Sequence, residues 1–148
     1  MQDVTAGFTP DEWDVLLRSP VVVFLFIAAA EGKVQPPEVA AFQQVLASAH
    51  GYRSALLARV LDEVQPRLSM LLAQVLTGGQ DAGRVLREAR TIVEARLTAG
   101  EAQLFLQSLF YVGNQVARVT READGALRDG KAEALMTLAR LFGLVPDE

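Results

Sequence analysis

The chain has 148 residues, 51% of them hydrophobic and 22% charged, with a formal net charge of −4 and no cysteine. This is the length of one domain and the composition of a globular chain, which excludes a disordered polyelectrolyte, a disulfide framework and a thiolate metal site. The charge is uneven, with two bases against six acids in residues 1–50, seven arginines against five acids in 51–98, and five bases against seven acids in 99–148. Those middle arginines are interleaved with acids over several segments, so they read as a solvated surface and nucleic acid is not an expected partner.

In chain order the segments read as helices, since apolar residues recur at three- and four-residue spacing and almost nowhere alternate as in a half-buried strand. Thr9-Pro10-Asp11-Glu12 is a capping box with proline at the first helical position, and Trp13, Leu16 and Leu17 form a stripe that docks this first helix on the core. Ser19-Pro20 repeats the cap-then-proline signal and predicts a break, with a second helix from Val21 to Glu31 stopping at Gly32. Val21 to Ala30 is the most apolar window; its ten residues are about half of what a membrane span needs, so the expectation is a buried helix that does not cross a membrane.

Pro36, Pro37 and Glu38 open a third helix with Val39, Phe42, Val45, Leu46 and Ala49 on one face, ending at His50-Gly51. Leu56, Leu57, Val60 and Leu61 mark a fourth, and Pro66 separates it from a fifth in "PRLSMLLAQVL". After Gly78-Gly79 comes an amphipathic segment from Asp81 with Val85, Leu86, Ala89, Val93 and Leu97. A second capping box, Thr98 to Glu101, starts a long helix from Ala99 to about Ala123, and a last helix runs from Lys131 to Phe142 with Gly143 as its stop. The expected fold is all-α, a single compact bundle of seven to eight helices over residues 1–148.

Two helix junctions resemble each other. "AAAEGKVQPPEV" carries Glu31, Gly32 and Glu38, and "READGALRDGKAEAL" carries Asp124, Gly125, Asp129 and Glu133. Glu38 and Glu133 face the positive end of a helix dipole, whereas Glu31 and Asp124 end helices where negative charge costs about 0.3–1 kcal/mol when exposed. A cation shared between the acids, a nearby arginine such as Arg121 or Arg128, or solvation would offset that cost. Oxygen-only donors would favour calcium, magnesium or manganese over zinc. An EF-hand is excluded: Glu122 and Glu133 have the separation of its first and last ligands, but Leu127 stands where the loop needs glycine.

Together, "AAAEGKVQPPEVAAF" and "VARVTREADGALRDGKAEALMTLARLFGL" resemble the tellurite-resistance TerB family over roughly Val21 to Leu144. The resemblance implies an all-helical bundle of about seven helices with an acidic, divalent-cation-binding surface, in proteins tied to tellurite and other chemical stress. It maps Glu31, Gly32 and Glu38 onto the first family motif and Asp124, Gly125 and Glu133 onto the second. Glu31 departs from the pattern, which has aspartate there.

His50, the only histidine, reads as a cap at a helix end, and no G-x-S-x-G elbow, P-loop or G-x-G-x-x-G occurs. The N-terminal "MQDVTAGFTPDEW" lacks the basic and apolar regions of a secretory signal, so the expected location is the cytoplasm. The expectation is a non-enzymatic stress-response module that holds a divalent cation or a basic protein partner through Glu31, Glu38, Asp124, Asp129 and Glu133. The alternatives are a structural scaffold without metal, a homodimer among them, and a carboxylate-dependent hydrolase.

Overall fold

The computed structural model describes residues 7–31, 36–78, 81–120 and 129–145. Every regular element among them is helical: α1 (Pro10–Ala28), α2 (Pro36–Ala47), α3 (Ala55–Val64), α4 (Leu68–Thr77), α5 (Ala82–Arg96), α6 (Ala99–Ala117) and α7 (Asp129–Leu141), with short 3-10 turns at Ala29–Glu31, Ala49–Gly51, Gln65–Arg67 and Arg118–Thr120. As expected, Pro66 separates α3 from α4, through the 3-10 turn Gln65–Arg67 in which Arg67 leaves helical dihedrals; with these two joined segments taken as one unit the described residues form six helical units, slightly fewer than the seven to eight expected.

The expected break at Ser19-Pro20 does not occur, and α1 continues through it as one helix of 19 residues. Proline at position 20 has no amide to give the Leu16 carbonyl, the bond a helix would make there. Ser19 supplies the replacement: its Oγ donates to Leu16 O at 2.7 Å in a fully buried setting. A hydroxyl that reads as a cap for a new helix instead repairs the old one.

With the break removed, α1 becomes the central rod. It packs against α3, α4, α5, α6 and α7, and Leu16, Val21, Val23, Ile27 and Ala28 have no exposure. Its ends follow the local rules. Thr9 and Glu12 form the reciprocal cap, as do Thr98 and Glu101 on α6. Trp13 is partly buried on this core and its indole N–H donates to Glu63 of α3 at 3.3 Å, which anchors the first turns as the stripe predicts. Glu12 also receives Arg96 of α5 at 3.1 Å; its Thr9 backbone bond first, and Arg96 second, hold the carboxyl below its ordinary value of 4.5.

α7 ends at Gly143, whose φ of +69° only glycine adopts without strain. There Leu144 N–H donates to Ala139 O and Gly143 N–H to Arg140 O, a Schellman stop that closes the last carbonyls. Gly32, the first expected glycine stop, and the expected last residues of the long helix up to Ala123 lie outside the described residues.

Gly113 of α6 sets how closely the rods approach. A Cβ there would stand 2.9 Å from Leu138 of α7, 3.1 Å from Val23 and 3.3 Å from Ile27 of α1. All three neighbours are fully buried and cannot swing into solvent. Gly113→Val is therefore expected to destabilise the protein by about 1–3 kcal/mol despite its better helix propensity, read as a lower urea midpoint at unchanged m-value.

Candidate functional site

The start of α7, where the second acid-bearing junction ends, comes to the first junction, and there Glu38 meets a lysine. The turn Ala29–Glu31 packs against α7. Glu38, third residue of α2, has no exposure, and Lys131, third residue of α7, has 1%. Lys131 Nζ lies 2.9 Å from Glu38 Oε2, off the hydrogen-bond axis, so the contact is an ion pair first. The cation that Glu38 meets is supplied by the chain itself.

Both positions follow from the helix faces. Glu38 lies one turn before Phe42 and two before Val45 on the buried stripe of α2, which Ala49 continues just past its end, and Lys131 lies one turn before Leu135 and two before Leu138 on that of α7, which Phe142 continues. The spacing is the same in both helices, so each charge is carried inward by the residues that follow it. Lys131 also sits at a helix N-terminus, where the dipole disfavours a cation, and the adjacent carboxylate offsets that.

Glu133 is exposed on α7. Glu31 closes a 3-10 turn and Asp129 opens α7, both placed by backbone, while Asp124 lies outside the described residues. No group of three potential metal ligands forms among the described residues. His50 lies in the turn Ala49–Gly51, with its side chain outside what is described.

A concave surface lies elsewhere, between α2 and α6. It is a valley of about 680 Å³ with Gln44, Val45 and Ser48 on one wall, and Leu104, Gln107 and Tyr111 on the other. Each wall repeats at three- and four-residue spacing, with Gln44 and Ser48 exposed along the α2 side and the buried Val45 forming the floor between them. Val119 closes one end, and Tyr52 and Arg53, just after the turn Ala49–Gly51, form the rim. Among the described residues, Arg53 is the only formal charge on the lining.

Tyr52 and Tyr111 meet edge to face with ring centroids 6.0 Å apart, and Gln115 Nε2 donates to the Tyr111 hydroxyl at 3.0 Å. Tyr111 is 48% exposed, a large ring held at the surface by neighbours rather than by burial. Desolvation first, and the Tyr111 hydroxyl second, push the Tyr52 phenol from 10.0 up to about 12.

That shift has a signed consequence. Below pH 10 both folded and unfolded chains keep the Tyr52 proton, whereas between pH 10 and 12 the unfolded chain loses it first, so stability falls with rising pH through that window. A pH series of denaturation midpoints is expected to show this alkaline loss, and Tyr52→Phe is expected to remove its share.

Sequence reasoning missed Lys131 and the valley. Lys131 could have been found by extending the α7 stripe one turn toward its start. Tyr111 among Gln107 and Gln115 on the outward face of α6 was the trace of the valley, but its other wall lies on a helix distant in sequence.

No protein-family profile, curated protein or solved structure matches this chain. Resemblance to the TerB family therefore rests on the two junction motifs. No helix among the described residues is long and apolar enough to cross a membrane.

Proposed function

We propose that this protein is a non-enzymatic interaction module whose α2/α6 valley receives an amphipathic helix of a partner protein. The observation that carries the reading is the form of the valley: two sets of side chains at helical spacing, with the buried Val45 at its floor, apolar at Leu104 and Val119 and amide-bearing at Gln44, Gln107 and Gln115. From Leu104 to Val119 the wall extends roughly 20 Å at 1.5 Å per residue, the length of several helical turns. A helix laid in such a groove buries residues at i, i+3, i+4 and i+7 and keeps its own backbone satisfied. Arg53 selects for an acidic residue at one end of that helix.

In this reading the paired junctions brace the valley. Glu38 and Lys131 fix the start of α2 against α7, and α2 is one of the two walls. A divalent cation would have to displace Lys131 to use Glu38. The TerB-like junctions suggest a chemical-stress setting for the module.

Selection from a displayed library of helical peptides tests the proposal. Enriched sequences are expected to show the i, i+3, i+4, i+7 apolar pattern with an acid near one end, and to bind Tyr111→Glu at least ten-fold more weakly. Failure to enrich, or equal binding to Tyr111→Glu, would refute it. A thermal midpoint raised by millimolar calcium, magnesium or manganese, and not raised in Asp124→Ala, would instead favour the cation reading.

A further inference from the structure

A second surface, on the opposite chemical footing, lies where α5 meets the last turns of α7. α5 carries Arg84, Arg87 and Arg90 at three-residue steps, so they share one side of the helix. α7 adds Thr137 and Arg140, and these close with Arg87, Arg90, Thr91 and one acid, Glu94, on a hollow of about 470 Å³. An adjoining hollow of about 360 Å³ shares Arg87 and Thr91 and continues to Arg84 and its partner Glu88. The two make one basic strip along α5.

The arginines on it are not equally engaged. Arg84 pairs with Glu88 at 3.3 Å and Arg90 with Glu94 at 3.1 Å, each one helical turn on. Arg90 is further anchored, donating to the Leu141 carbonyl at 3.2 Å and lying against Gly143, where a Cβ would come within 2.7 Å of it. Arg87 and Arg140 make no ion pair among the described residues, although they approach the same hollow from different helices. With Glu94 engaged by Arg90, the described lining of this cavity carries two more arginines than its acid neutralises, in a chain whose net charge is −4.

We infer that this strip is a docking surface for an acidic segment of a partner protein, with Arg87 and Arg140 as its carboxylate receptors. Guanidinium groups bind carboxylates bidentately, Arg90 is already positioned to hold the shape of the cavity, and the Thr91 and Thr137 hydroxyls stand beside them. Two adjoining hollows along α5 suit an extended run of acids better than one compact anion. The overall negative charge repels such a segment from the rest of the surface, so binding concentrates where the local sign is reversed.

The experiment uses the full chain and a fluorescent twelve-residue glutamate-rich peptide, with its glutamine counterpart as control, followed by anisotropy at low and at 300 mM salt. The glutamate peptide is expected to bind saturably, to weaken at high salt, and to lose at least ten-fold in affinity to Arg87→Gln/Arg140→Gln. Arg67→Gln, an exposed arginine that lines neither surface, is expected to bind it as the parent does, which distinguishes this strip from a general loss of positive charge. Both variants alter exposed side chains, and unchanged far-UV circular dichroism verifies their fold. Absence of binding, equal affinity for the double variant, or displacement of the peptide by equimolar inorganic phosphate would each overturn the inference, the last because it would mark a small-anion site.

Discussion

Lys131→Met is expected to lower the unfolding free energy by about 3–5 kcal/mol, because it takes the ammonium away from a carboxylate that has no exposure to water. Chemical denaturation with a linear extrapolation measures it. The same charge at the surface would matter little, since exposed pairs contribute about 0–1 kcal/mol, so the size of the loss reports burial. Restoring neutrality is the sharper half of the experiment. Glu38→Leu/Lys131→Met replaces the pair by apolar groups of similar volume, and such replacements are often neutral or stabilising. The double variant is therefore expected to recover most of what Lys131→Met loses. A Lys131→Met loss under about 1 kcal/mol, or a double variant as damaged as the single ones together, would show that the two side chains do not depend on each other.

The second large effect is expected at Phe42, one turn beyond Glu38 on the same face of α2. Phe42 is 1% exposed and stacks on Phe24 of α1 with ring centroids 4.7 Å apart and planes 7° from parallel. Phe42→Ala removes a ring from this stack and leaves a void between two rods that cannot close on it, with an expected cost of about 3–5 kcal/mol. Gln43→Ala, at the next, exposed position, is expected to change stability by no more than about 0.5 kcal/mol. Because α2 also forms one wall of the valley, Phe42→Ala is expected to weaken peptide binding there as well as stability, whereas Tyr111→Glu should weaken binding alone. Equal stability of Phe42→Ala and the parent would mean that α2 is not held by this contact.

Both predictions concern one helix, and together they bear on how α2 is positioned. Its start is fixed electrostatically against α7, and its middle is fixed by ring stacking against α1. Neither contact touches the valley itself. They decide instead whether the α2 wall stands at the right distance from α6 to admit a helix.

Much of this was legible in the residues alone, for a physical reason. Caps and stops are made by bonds spanning a few residues, so the Thr9/Glu12 and Thr98/Glu101 boxes and the Gly143 stop fall where the sequence puts them. Helical periodicity likewise identifies the buried faces of α2, α5 and α7. The same local grammar misled at Ser19-Pro20. A cap followed by proline starts a helix when water is available to the freed carbonyl, but inside the core the Ser19 hydroxyl and the packing of five neighbouring helices hold the rod intact.

The sequence by itself thus determined the helical class, most helix ends and which stripe of each helix turns inward, all set by interactions between near neighbours. Tertiary structure alone decided that Glu38 meets Lys131, that Gly113 marks the closest approach of three rods, and that α2 and α6 leave a valley between them. Each of these joins residues from helices remote along the chain, and the distance between such residues is a property of the packed core that no local pattern encodes.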